Sequence, residues 1–158
     1  ATVVTKLMNL AQADEAFFGQ KDAQQVVVIR RFVADLNLNV HINMVPIVRE
    51  ESGLARSSRN QYLSAEEKEA ALILSRSLRK AATAYESGET DVATLKQIVI
   101  ASLNTEPLAR IDYVELYDFP GLNEVPRVTQ ASLLAIAVKI GKTRLIDNVI
   151  LGKEAGEA

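Results

Sequence analysis

The sequence predicts an α/β chain in two parts. Residues 1–46 read as one strand–helix–strand unit of a parallel sheet, and residues 47–158 as a small α+β domain with helices on a three-stranded antiparallel sheet. Three observations carry this. Apolar residues alternate between helical spacing and short strand-like runs before Pro46. Two longer helical patterns with clear start signals follow, at Ser64-x-x-Glu67 and at Thr90-Asp91. Three apolar, β-branched runs then close the chain, with Gly141-Lys142 between the last two.

Taken in order, Val3, Val4, Leu7, Met8 and Ala11 recur at helical spacing and predict a helix over 2–11. Phe17 and Phe18 make a short apolar strand ending at Gly19. Asp22 is placed to cap a second helix, whose apolar stripe is Val26, Ile29, Val33 and Leu36. A second strand, Val40 to Val45, completes the parallel unit. A parallel sheet needs several strands and cover on both faces, yet only two such strands are present. The chain is therefore expected to enter part-way through a larger α/β domain, in keeping with a first residue, Ala1, that is not Met. A small domain with an unusual opening helix is the alternative.

From Pro46 to Asn60 the texture changes to serines, Gly53 and the charges Arg49, Glu50, Glu51, Arg56 and Arg59, which reads as a polar connection. Ser64 and Glu67 form a capping box that opens a long helix carrying Ala71, Leu74, Leu78, Ala81, Ala82 and Tyr85, stopped at Gly88. The next helix carries Val92, Leu95, Ile98, Val99 and Leu103 and ends before Pro107. Strands are expected at 111–117, 133–140 and 144–151, the last two joined by a two-residue turn with Gly141 first. Gly152 to Ala158 reads as a frayed tail.

Composition narrows the function. With 18 basic and 20 acidic residues the net charge is −2, which argues against a nucleic-acid or anionic-membrane surface. Aromatics, at 5%, are too few for base stacking. No apolar run reaches the roughly 18 residues of a membrane span. The chain has no cysteine and one histidine, which excludes disulfides, thiolate metal sites and a two-histidine site. A soluble, cytoplasmic protein is the expectation.

Two segments could carry chemistry. In Phe18-Gly19-Gln20-Lys21-Asp22, a strand end runs through glycine into a helix N-terminus, the place where α/β folds bind ligands. Backbone N–H groups favour an anion there, Gly19 permits close approach, and Lys21 adds a mobile point charge suited to phosphate. Gln25 lies one turn on, facing the same way. A plain strand-to-helix turn is the alternative reading. In Gly53-Leu54-Ala55-Arg56-Ser57-Ser58-Arg59-Asn60, two guanidiniums and two hydroxyls follow a glycine. They suit phosphate oxygens, unless the stretch is only a solvated linker.

The remaining polar residues read as structural. His41 alternates with Val40 and Ile42 and is expected on a polar strand face. Arg144, Asp147 and Asn148 on the last strand suggest an ion pair or an interface feature. Asp112 and Glu115, three apart on a strand, are expected on opposite sides, so no carboxylate pair forms.

Taken together, Phe18-Gly19-Gln20-Lys21-Asp22 with Gln24-Gln25, Val33-Ala34-Asp35, Val45-Pro46, Val48-Arg49-Glu50, Gly53-Leu54-Ala55, Ser57-Ser58-Arg59-Asn60 and Thr143-Arg144-Leu145-Ile146-Asp147-Asn148 are far more specific than either segment alone. In this order they resemble the pantothenate synthetase family, the pantoate–β-alanine ligases of vitamin B5 biosynthesis. The resemblance covers only the later part of the family's chain. Its opening Rossmann-like nucleotide-binding region carries a His-x-Gly-His signature, which cannot exist here because His41 is the only histidine. The resemblance thus implies the last unit of a Rossmann-like domain followed by the C-terminal domain.

It also implies a two-step, Mg²⁺-assisted reaction, in which pantoate and ATP form pantoyl adenylate and pyrophosphate, and β-alanine then displaces AMP. By motif, Gly19, Gln20, Lys21 and Asp22 would line the ATP site with Lys21 on the phosphates, Gln25 would hold pantoate, and Val48 would offer backbone contacts to adenine. Arg56, Ser57, Ser58 and Arg59 would form a mobile phosphate loop. Lys21, Ser57, Ser58 and Arg59 are the residues expected to act catalytically, and no metal ligand is assigned. Gln20, Ala23 and Arg56 depart from the family pattern, which bears on their side chains rather than on backbone contacts. The resemblance implies a homodimer for the full-length protein and little or no activity for this chain alone. A non-catalytic protein-interaction module is the rival reading.

Overall fold

A computed structural model of the chain describes residues 2–152. They divide between Ile47 and Val48 into two compact units.

The first unit runs α1 (Thr2–Ala11), β1 (Glu15–Gly19), α2 (Ala23–Asp35) and β2 (His41–Val45). The two strands pair in parallel, with Glu15 opposite His41 and Gly19 opposite Val45, so their carboxyl ends finish together. Val26, Ile29 and Val33 of α2 meet Ile42, and Val4, Met8, Ala16 and Phe18 pack against them. Alternation along β1 therefore turns Ala16 and Phe18 to the core and leaves Phe17 64% exposed. Val3, Leu7 and Leu10 of α1 are exposed as well.

Two details differ from the sequence reading. Asp22 stands at the N-cap of α2, but its side chain makes no cap hydrogen bond. The reason is the 3-10 turn Gln20–Asp22, which carries the chain into the helix and leaves Asp22 at φ −104° and ψ 47°, outside the extended conformation that N-caps usually adopt. Leu36 follows the last helical residue and is 56% exposed, so the buried stripe stops at Val33.

The second unit contains α3 (Ala65–Glu86), α4 (Val92–Leu103) and the strands β3 (Ala109–Asp118), β4 (Ser132–Ile140) and β5 (Thr143–Leu151), ordered β3-β4-β5 and antiparallel. Ser64 and Glu67 form the expected capping box, with reciprocal bonds of 3.1 and 2.8 Å. Asp91 caps α4 by accepting from the Thr94 N–H at 2.9 Å. The β4–β5 turn places Gly141 at φ +57°, where a side chain would strain the backbone and would collide with the Glu67 carboxylate. Leu74, Leu78, Leu95, Val99 and Leu103 form one core with Leu134, Ile136, Val138 and Ile140 of the central strand.

A bulge between Ile111 and Tyr113 overturns the alternation expected of β3. Ile111 and Val114 both reach the core although they are three apart. Spacing therefore does not separate Asp112 from Glu115; their partners do, since Asp112 accepts from Arg144 and Glu115 from Lys96, each at 2.7 Å. None of the described helices is long and apolar enough to cross a membrane. The tail beyond Gly152 lies outside the described residues.

Candidate functional site

In the first unit the predicted residues gather at the carboxyl end of β1. Gly19 ends the strand in an extended conformation, φ −72° and ψ 133°, and leads directly into the turn Gln20–Asp22. A Cβ added at Gly19 would meet no protein atom within 4 Å, so open space faces this backbone. The fold itself does not require glycine here. Lys21 is half-buried, while Asp22, Gln24 and Gln25 are exposed, and Gln25 lies in the first turn of α2. Ala23 is buried against the unit's own core, so its side chain is not offered to a ligand. The first turn of α2 contains no acidic residue and receives no side-chain cap, so its positive dipole end is not neutralised from within that turn. His41 is exposed at the opposite end of β2, as the alternation predicted.

In the second unit, residues 48–56 belong to the stretch read as a polar connection, and they carry a structure of their own. The chain folds back as a tight hairpin. The Arg56 N–H donates to the Val48 carbonyl (2.9 Å), the Glu50 N–H to Leu54 (2.9 Å), and the Gly53 N–H closes the turn onto Glu50 (2.8 Å). Gly53 takes φ +95°, the left-handed conformation that glycine tolerates best. Leu54 and Ala55 are buried, because the hairpin lays its second arm onto the unit's core. The sequence hid this in part because Asp147, which Arg49 of the hairpin grips, lies far along the chain.

The arc that follows, Arg56 to Arg59, is the segment expected to bind phosphate. Arg56, Ser58 and Arg59 are exposed and Ser57 is half-buried. Ser57 caps the 3-10 turn Ser58–Tyr62 by accepting from the Arg59 N–H at 3.2 Å, which leaves its own hydroxyl proton to donate outward. Glu50, Arg56, Ser57 and Ser58 line a shallow open concavity. The Arg59 guanidinium reaches the Arg144 carbonyl at 3.5 Å. Val48, the first residue of the hairpin, exposes its side chain.

Sequence reasoning named Asp147 without its partner. Asp147 and Arg144 are each in an ion pair, but not with one another. Arg49 donates to both Asp147 oxygens, at 2.7 and 2.9 Å, whereas Arg144 pairs with Asp112 and lies over the Tyr113 ring at 5.8 Å. Arg49 and Asp147 are 98 positions apart, and no local spacing signals such a contact. Among the described residues no group of three or more His, Cys, Asp or Glu side chains is placed to hold a metal ion.

Comparison with known proteins agrees across the chain. A family model described as pantoate-beta-alanine ligase matches residues 1–150. A pantothenate synthetase of Pelotomaculum thermopropionicum is 57% identical over 96% of this chain and 54% of its own length. One from Clostridium acetobutylicum is 56% identical over 93% of this chain and 52% of its own. The crystal structure of pantothenate synthetase from Thermus thermophilus matches with a TM-score of 0.89 at 38% identity, covering 94% of this chain and 53% of that one. A pantoate-beta-alanine ligase from Francisella tularensis, complexed with beta-gamma ATP and beta-alanine, matches with a TM-score of 0.66 at 28% identity, over 94% of this chain and 48% of that one. The chain spans about half the length of the curated relatives it matches.

Proposed function

Because the chain belongs to the pantoate–β-alanine ligase family, we propose that it is the later portion of an ATP-dependent ligase that joins pantoate to β-alanine. The observation that carries this reading is the family match over residues 1–150, which takes in both anion-suited segments together. The solved relative described as complexed with beta-gamma ATP and beta-alanine supports the choice of substrates. Residues 1–46 are then the last unit of a Rossmann-like nucleotide-binding domain, and 47–158 the domain that carries the phosphate loop.

In the first step a pantoate carboxylate oxygen bonds to the α-phosphorus of ATP as the bond to pyrophosphate breaks. In the second, the β-alanine amine bonds to the acyl carbon and loses a proton as AMP leaves. Neither step needs a covalent enzyme intermediate, so the protein's task is positioning and charge compensation. Lys21 offsets charge on the ATP phosphates, and the N–H groups of the turn after Gly19 donate to them. Gln25 binds pantoate, and the Val48 backbone meets adenine. Arg56, Ser57, Ser58 and Arg59 hold the departing pyrophosphate, the guanidiniums through paired N–H donors. Mg²⁺ enters with the nucleotide, since it is ordinarily held by substrate phosphates and one or two carboxylates rather than by a protein cage. This portion supplies no such cage among its described residues. The intact protein acts as a cytoplasmic homodimer, and this chain alone is inactive or nearly so.

The test is pantoate-dependent exchange of pyrophosphate into ATP, run on this chain and on the intact protein. Exchange by the intact protein alone is the expected result. Exchange by this chain alone would overturn its dependence on further residues, and silence in both would overturn the ligase.

A further inference from the structure

We propose that Arg49 and Asp147 are positioning residues that hold the Arg56–Arg59 arc in its working geometry; this rests on the ligase reading above. Asp147 is 2% exposed and sits on β5 opposite Ile136, a core residue of the central strand. A carboxylate in such surroundings needs a cation and full hydrogen bonding. Arg49 supplies both, forking onto the two oxygens, while Asp147 Oδ1 also accepts from the Asn148 N–H at 2.8 Å.

The guanidinium does more than neutralise. Its Nη1 also donates to the Gly53 carbonyl at 3.1 Å, and the Arg49 backbone bridges to Ala55 on the other arm of the hairpin. The Arg49 side chain thus ties the turn to β5, while its backbone joins the two arms of the hairpin. A second strut lies just beyond the arc, where the buried Asn60 donates to the Ala55 carbonyl at 3.1 Å and to Glu50 at 3.0 Å. The four residues proposed to grip pyrophosphate therefore project between two fixed points, Ala55 and Asn60. Buried ion pairs are poor devices for stability, because apolar residues of similar volume often do as well. Direction is what the fork adds, since a bidentate pair fixes orientation as well as distance.

The test uses the intact protein and separates the two half-reactions. Arg49→Lys keeps the charge and loses the fork. The double variant Arg49→Met with Asp147→Leu removes the pair while filling the same space, so that the fold survives even if single changes at Asp147 do not. Expected for both is a fall of roughly 10- to 100-fold in pantoate-dependent pyrophosphate exchange, the scale of a misplaced catalytic group. Aminolysis of added pantoyl adenylate by β-alanine should stay within about twofold, because the pyrophosphate has already left. Equal losses in both half-reactions would show a merely structural pair, and unchanged exchange would show no positioning role; either overturns the inference. If the unaltered intact protein shows no exchange, the ligase reading fails and takes this inference with it.

Discussion

At Gly19 the backbone is extended, φ −72° and ψ 133°, which alanine adopts without strain, and an added Cβ would meet no protein atom within 4 Å. In the free protein, Gly19→Ala should therefore stabilise by about 0.4–1 kcal/mol, because alanine has fewer unfolded conformations to lose. In a chain of this size that raises Tm by roughly 1–4 °C. The same methyl would stand where the ATP phosphates are proposed to meet the turn Gln20–Asp22. Crowding of that kind costs on the order of 1–3 kcal/mol, or about 5- to 150-fold in Kd. The two effects have opposite signs, which makes the substitution informative. Calorimetric titration of the intact protein with ATP gives the affinity, and melts with and without nucleotide give the stability. A variant that is more stable yet binds ATP unchanged would refute the placement of the phosphates. One that is destabilised without ligand would refute the claim of open space.

Lys21→Ala should weaken ATP binding by about 1.5–3 kcal/mol in a calorimetric titration of the intact protein, as expected for a lost hydrogen bond to a charged group. The bonds from Thr94, backbone first and hydroxyl second, hold the Asp91 carboxyl below its ordinary pKa. Its folded-state value is depressed, so the stability it contributes is present above the ordinary carboxylate range and is lost as pH falls through the lowered value. Asp91→Asn should keep a cap but flatten that acid limb in a pH series of denaturant melts. Gly141→Ala should cost about 1–3 kcal/mol in urea unfolding, from left-handed backbone strain and a displaced capping carboxylate. Combined with Glu67→Ala, the loss should fall short of the sum of the two single effects, because both act on one contact.

What the sequence revealed is what local chemistry determines. The helix over 2–11, the Ser64–Glu67 box and the Asp91 cap rest on residues no more than four positions from the next, and each formed where the spacing put it. Short-range parity failed once, at the Ile111/Tyr113 bulge, because one extra residue reverses which side faces the core. The candidate site was legible in its residue types but not in its support. Nothing near Arg49 announces a partner at Asp147, and a stretch rich in serine and charge gave no hint that Leu54, Ala55 and Asn60 are buried. Polar loops conceal such anchors because their buried polar groups are satisfied by particular hydrogen bonds, near in sequence for Asn60 and distant for Arg49, rather than marked by an apolar run.

The two units also differ in how completely each encloses its apolar surface. In the second, Leu95, Val99, Leu103, Leu134, Ile136 and Val138 are fully buried, and the capped helices cover one face of the sheet. In the first, the fully formed core amounts to Val26, Ile29, Val33 and Ile42, while Val3, Leu7, Leu10 and Phe17 face outward. A two-stranded parallel sheet with so small a core is marginal as a unit. The two anion-suited segments therefore stand on unequal foundations. The Arg56–Arg59 arc is anchored to an extensive core through Arg49 and Asn60, whereas the turn after Gly19 stands on a two-stranded sheet with a small one. If that turn holds the ATP phosphates as proposed, loosening of the first unit should by itself weaken ATP binding, since apparent affinity falls with the fraction of molecules in the binding-competent form.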